Sequence, residues 1–195
     1  MSVKTRCSWC SDDPLYQQYH DQEWAVPVTD DQALFEFLVL EGAQAGLAWI
    51  TILRKRANYR QAFDQFDIEK VAGYSDQKIA ALLLNKGIVR NRLKVNSARS
   101  NAQAVLKIQQ QFGSFSQYLW AFVDGKTLHN HFQSIADVPA ETALSKTISK
   151  DLKKRGFSFV GPTIIYAFMQ AVGMVNDHTT DCFRYQQLKQ SIGEA

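Results

Sequence analysis

The sequence predicts an all-α protein, on three observations. Apolar residues recur at intervals of three and four along most of the chain, and residue types that cap helix N-termini stand before those runs. The alternation expected of strands is short and scattered. Asp30 and Asp31 can cap a helix through Leu34, Phe35, Phe37, Leu38, Val39 and Leu40, apolar nearly all round and so expected to be buried. Gly42 and Gly46 mark its end or a break. Further helices are expected over 49–63 and over 76–84, the latter capped by Ser75. Residues 90–112 form a long amphipathic helix with Val95, Ala98, Ala102, Val105 and Ile108 on one face. Helices over 114–123, 140–154 and 162–172 complete the set.

With 195 residues, 46% apolar and 21% charged, the composition is that of an ordinary globular protein. Residues 1–195 are expected to form a single compact unit, as one domain or as two small packed lobes. No apolar run approaches the roughly 18–20 residues of a membrane span, and the polar residues after Arg6 do not read as a signal peptide. Three cysteines, an odd number, argue against a disulfide framework and suit a cytoplasmic location.

The net charge of +3 hides a segregation. From Cys7 to Leu53 there are eight acidic residues and no Lys or Arg, whereas from Gln77 to Val123 there are seven basic residues and no Asp or Glu. Arg54, Lys55, Arg56 and Arg60 form another basic cluster, as do Lys150, Lys153, Lys154 and Arg155. Such a distribution suits either solvated helix faces or a surface that follows a phosphate backbone.

Three groups of residues are candidates for chemistry. His178 and Cys182, four apart, would share a helical face, and with Cys7 and His20 they could complete a Cys2His2 zinc tetrahedron. Such a site would clip together two ends of the chain. Cys10 makes a C-x-x-C pair with Cys7 and competes for the sulfur position, but a thioredoxin-like redox role lacks its βαβ context. His129 and His131 read as surface residues in a polar loop.

Second, Glu41 emerges from an apolar helix beside an uncharged loop, either as a satisfied helix-end residue or as a working group. The aromatic residues Trp9, Tyr16, Tyr19 and Trp24 lie upstream. A cage of such rings beside a carboxylate suits a flat, cationic ligand. Third, Lys153 to Thr163 runs from a basic helix end through Gly156 and Gly161 to Pro162 as first residue of the next helix. That is either an ordinary αα-hairpin or a phosphate-binding helix start.

Together these residues resemble the 3-methyladenine DNA glycosylase I family, a branch of the helix-hairpin-helix DNA glycosylases. The resemblance rests on Arg6-Cys7-Ser8-Trp9, Asp13-Pro14-Leu15-Tyr16, Tyr19-His20-Asp21, Glu23-Trp24, Leu40-Glu41-Gly42, Gln44-Ala45-Gly46-Leu47 with Trp49, and Gly87-Ile88-Val89-Arg90. It continues through Lys153-Lys154-Arg155-Gly156-Phe157, Phe159-Val160-Gly161 and Val175-Asn176-Asp177-His178.

The resemblance implies a structural zinc on Cys7, His20, His178 and Cys182, an essential pocket acid at Glu41, and base-stacking rings at Trp9, Tyr19, Trp24 and Trp49. It implies DNA contacts from Gln44, Gly46 and Leu47 and from the hairpin residues Lys153, Arg155, Gly156, Val160 and Gly161. The implied reaction is hydrolysis of the N-glycosidic bond that releases 3-methyladenine from double-stranded alkylated DNA, by a monomer with no obligate protein partner. Asn176 stands where most helix-hairpin-helix glycosylases place a catalytic aspartate, with Asp177 adjacent. No lysine at the hairpin suggests a Schiff-base nucleophile, so strand cleavage is not expected. The alternatives are a non-catalytic zinc-containing DNA-binding module and a zinc-clipped helical scaffold for other proteins.

Overall fold

A computed structural model describes residues 4–190 of the chain. Ten α-helices, with short 3-10 turns between them, and one pair of two-residue parallel strands make up the described residues. α1 (Pro14–Gln22) starts on Asp13, whose side chain accepts from Leu15 N and Tyr16 N, with Pro14 as first helical residue. α2 (Asp31–Gln44) is capped by Asp30 and is the buried helix its apolar circumference demands. The Asp31 carboxylate instead accepts from Phe115 N, Ser116 N and Gln109 Nε2 and so ties α2 to a later helix start.

α3 (Trp49–Ala62) and α4 (Ile68–Ala72) follow, then α5 (Asp76–Leu84) with Ser75 as its cap. α6 (Arg92–Phe112) buries Val95, Ala98, Ala102, Val105 and Ile108 and stops at Gly113, whose φ of 89° suits a glycine. α7 (Phe115–Trp120) continues as a 3-10 turn to Val123. α8 (Ala143–Lys154) starts later than expected, because a reciprocal pair of hydrogen bonds between Thr142 and Ser145 sets its first turn. α9 (Pro162–Ala171) and α10 (Phe183–Gln190) complete the helices, and β1 (Leu128–His129) pairs with β2 (Val175–Asn176).

α2 is the axis of the fold, packing on α3, α6, α7 and α9. Its Leu34, Phe35, Leu38 and Leu40 are among the most completely buried side chains, each stabilising the fold by about 1.5–3 kcal/mol against solvent exposure. Gly42 does not end α2 but lies inside it, where a Cβ would stand 3.2 Å from Phe159 Cβ in the α8–α9 loop. Its smallness lets that loop approach the helix. Gly46, with φ of 80°, makes the break after α2.

The charge segregation resolves into two parts. Arg56 pairs with Glu36 and Glu23, Arg60 with Glu36, Arg54 with Asp13, and Arg6 with Asp21. The Arg54–Arg60 cluster is thus largely neutralised against the acidic N-terminal segment and adds little to any free positive face. Arg90, Arg92, Lys107, Lys150 and Lys153 make no ion pair among the described residues, in contrast to Arg99 on Asp76 and Lys146 on Glu141. Among the described residues no helix is long and apolar enough to cross a membrane.

Candidate active site and metal centre

Glu41 sits on the last turn but one of α2, 4% exposed. Its carboxylate makes no hydrogen bond or ion pair with the described residues, and burial alone pushes its pKa up to about 8. It faces a cavity of about 380 Å³, within the usual range for small-molecule sites. Trp9, Tyr16, Tyr19, Trp24 and Trp49 form one side of that cavity, with Gln44 beside Glu41.

The rings brace one another. Trp9 meets Tyr16 at 5.0 Å and Trp24 at 4.9 Å edge-on, and Tyr19 meets Trp49 at 5.6 Å. Burial, then the Glu41 charge, pushes the Tyr19 phenol up, so it stays neutral. The indole N–H groups of Trp9 and Trp49 are buried without any acceptor. Glu41 is thus a buried acceptor without a partner at the cavity, costly to the fold alone and suited to a polar, planar ligand.

The cavity is also lined by Ile135, Val138, Pro139 and Ala140 and by α9 through Thr163, Tyr166, Ala167 and Gln170. Sequence reasoning missed these lining residues, and it named Tyr16 among the upstream rings without giving it a base-stacking role. The α9 residues are spaced three and four apart, a helical face that reads as ordinary core until the cavity is seen.

The loop after α2 is held at both ends. Gln44 Nε2 donates to Leu47 O at 2.8 Å, and Leu47 N donates to Gln44 O at 2.7 Å. Lys94 Nζ donates to Ala43 O and Ala45 O at 2.8 and 2.6 Å, placing a cation at the negative end of α2. The turn projects Leu47, 39% exposed, beside the cavity residue Gln44.

Behind the aromatic ring lies the second site. Cys7, His20, His178 and Cys182 are buried, with one potential ligand atom each, all within 4.8 Å of one another. Cys182 Sγ lies 3.4 Å from His178 Nδ1 and 3.5 Å from His20 Nε2, and Cys7 Sγ lies 3.5 Å from His178 Nδ1. A zinc tetrahedron with ordinary bond lengths has sulfur–nitrogen edges of about 3.6 Å, so the residues fit that ion. Asp21 Oδ1 holds His20 Nδ1 at 2.8 Å, the outer hydrogen bond that orients a metal-binding imidazole.

Two details differ from the sequence reading. Residues 177–182 are not helical: a turn closed by Cys182 N on Thr179 O brings His178 and Cys182 together. Cys10 is not part of the cluster, since its thiol donates to Cys7 O at 3.2 Å. His129 and His131 lie apart, on Asn176 and against the Tyr185 ring.

The α8–α9 loop has Gly156 at φ 93° and Gly161 as the residue before Pro162. Val160 is a core side chain, so only its backbone can meet a ligand. Arg155 is engaged by Asp151 and Gln111 and stacks over Phe112 and Tyr118, whereas Lys153 has no ion partner among the described residues. Asn176 and Asp177 are both fully buried, and neither lines the cavity.

Comparison with known proteins agrees with this geometry. The methyladenine glycosylase family model matches residues 9–185. The chain is 48% identical to DNA-3-methyladenine glycosylase 1 of Escherichia coli (strain K12), over 92% of this chain and 96% of that one. It is 47% identical to DNA-3-methyladenine glycosylase of Haemophilus influenzae (strain ATCC 51907 / DSM 11121 / KW20 / Rd), over 92% and 97%. A crystal structure of 3-methyladenine DNA glycosylase I superposes with a TM-score of 0.90 at 51% identity, covering 92% of this chain and 98% of that one. The Staphylococcus aureus enzyme, solved to show how 3-methyladenine is recognised, gives 0.89 at 39% identity, covering 93% and 97%. With a family model matching residues 9–185, close relatives over nearly its whole length and a matching fold, this chain belongs to the methyladenine glycosylase family.

Proposed function

We propose that this protein is a DNA glycosylase that hydrolyses the bond between 3-methyladenine and deoxyribose in alkylated duplex DNA. The observation that carries this reading is Glu41: a buried carboxyl without a protein partner, in a cavity lined by six aromatic residues. A purine alkylated at N3 and still joined to its sugar carries a positive charge. Its flat face suits the rings, its charge suits Glu41, and its amino group offers hydrogens to the carboxylate.

The same charge makes the base a good leaving group, so no acid is needed to protonate it. Glu41 then contributes selectivity and electrostatic stabilisation. An ordinary neutral adenine would meet a carboxyl that favours its protonated form near neutral pH. A cationic base stabilises the carboxylate it needs. Eversion of the damaged nucleotide costs a few kcal/mol, and Leu47 on its braced turn would fill the vacated stack, with Gln44 and Gly46 shaping the approach. The backbone of 156–161, the start of α9 and Lys153 would hold phosphates, with Arg155 contributing where its pairing with Asp151 allows.

Cys7, His20, His178 and Cys182 would hold a zinc ion as four protein ligands. That closed coordination supplies structure: it clips residues near the start of the chain to the segment before α10 and fixes the wall of Trp9 and Trp24, which contact His20 and His178.

The test is chromatography of bases released from methylated DNA. The wild-type protein is expected to release 3-methyladenine. Glu41→Gln should reduce that release about 100- to 1,000-fold while folding and bound zinc are retained. Release by Glu41→Gln at the wild-type rate would remove the acid from the account, and no release by wild type would remove the activity.

A further inference from the structure

α9 turns one face to the cavity through Thr163, Tyr166, Ala167 and Gln170. Behind that face stands Asp177, fully buried. Its Oδ2 accepts from Tyr166 Oη at 2.5 Å and from Gln170 Nε2 at 2.8 Å, and its Oδ1 accepts from Asn130 Nδ2 at 2.7 Å. These three partners are neutral, and two of them line the cavity.

Each bond dictates what its partner has left to offer. A carboxylate only accepts, so Tyr166 commits its single hydroxyl hydrogen to Asp177 and keeps only lone pairs for a ligand. Burial, then the bond to Asp177, pushes the Tyr166 phenol up, so it stays neutral. Gln170 must turn its amino end to Asp177, because the flipped amide would set oxygen against oxygen in a buried site. Its carbonyl oxygen is therefore held away from Asp177.

We propose that Asp177 is a positioning residue: through Tyr166 and Gln170 it fixes the α9 wall of the cavity as a hydrogen-bond acceptor, so that the cavity selects a base rich in donor hydrogens and positive charge. This rests on the base-binding reading of the cavity. It gives the acid next to Asn176 a role in recognition, carried out through two neighbours and without contact with the sugar.

The experiment compares two measurements on each variant. One is single-turnover release of 3-methyladenine from methylated duplex. The other is affinity for a duplex carrying a tetrahydrofuran abasic analogue, which has no base to be read. Asp177→Asn should slow release about 10- to 100-fold, with little change in abasic-duplex affinity. Gln170→Leu, which leaves the buried acid in place, should slow release in the same direction should Asp177→Asn fold poorly.

Wild-type release rates in both Asp177→Asn and Gln170→Leu would overturn the inference, as would equal losses in both measurements, which indicate damage to the fold. Failure of the wild-type protein to release any base would instead overturn the base-excision reading itself.

Discussion

The aromatic cavity and the Cys/His cluster are neighbours that share a wall, yet they treat polar atoms in opposite ways. Around the cluster each group is engaged: His20 by Asp21, His178 by the sulfurs and by Trp24 O, and Cys7 Sγ by Thr179 N. In the cavity Glu41 and the indoles of Trp9 and Trp49 have no protein partner among the described residues. The first region engages its polar groups with one another, and the second leaves the Glu41 carboxyl without a protein partner among the described residues. Damage to the cluster should therefore appear first as lost stability, and damage to the cavity as lost activity in a protein that stays folded.

The largest expected effect breaks the cluster. Cys182→Ala removes one sulfur and should cost several kcal/mol, together with the metal content. Thermal unfolding followed beside metal analysis checks this. Activity per folded molecule should fall only as the fold fails. A metal-free variant that is fully folded and inactive would contradict the division of labour between the regions.

A subtler effect comes from the pH dependence of Glu41. Its folded pKa of about 8 lies above the ordinary value of 4.5, so the folded state favours the protonated form. The associated stability is fully present below about 4.5 and is lost as pH rises through about 8. Glu41→Gln, which cannot ionise, should thus be more stable than wild type by up to a few kcal/mol above pH 8, and nearly equal to it near pH 4.5. Activity runs the other way. If the ionised acid is the working form, kcat/KM should rise toward pH 8, reporting the free protein. The profile of kcat should rise at lower pH, because the cationic base draws the carboxylate pKa down. Coincident profiles would show that no charge pairing forms in the complex.

This contrast also explains what the sequence made legible. Helices with strong local signals stand where expected: 76–84 residue for residue with its Ser75 cap, and α2, α3, α6 and α9 within a few residues. α1 was missed although Asp13-Pro14 is a cap followed by a first-turn proline, because its face of Tyr16, Tyr19 and His20 serves the cavity and the cluster and does not follow a simple apolar stripe. The four cluster residues were legible as types but not as geometry, since a turn and not a helix joins His178 to Cys182. The Tyr166–Asp177–Gln170 contacts stayed hidden, although Asp177 itself was named, because they are hydrogen bonds between elements, which no periodicity reports. The basic cluster at 54–60 looked available for the same reason: its acidic partners are distant in sequence.

The smallest expected effect joins the acid helix to the α8–α9 loop. At Gly42 an added methyl group would gain about 0.5–1 kcal/mol from helix propensity. It would also press on Phe159 Cβ at 3.2 Å, in a residue already held at φ 55°. Because the neighbour is close to backbone, the α8–α9 loop must shift as a unit by a few tenths of an ångström. The two terms oppose, so Gly42→Ala should leave the unfolding free energy within about 1 kcal/mol of wild type. The loop shift acts on phosphate binding and leaves the Glu41 carboxylate in its cavity, so KM for methylated DNA should rise a few-fold while kcat stays near its wild-type value. A fall in kcat with KM unchanged would mean that the loop supports the cavity directly and that the two functions are less separate than their hydrogen bonding suggests.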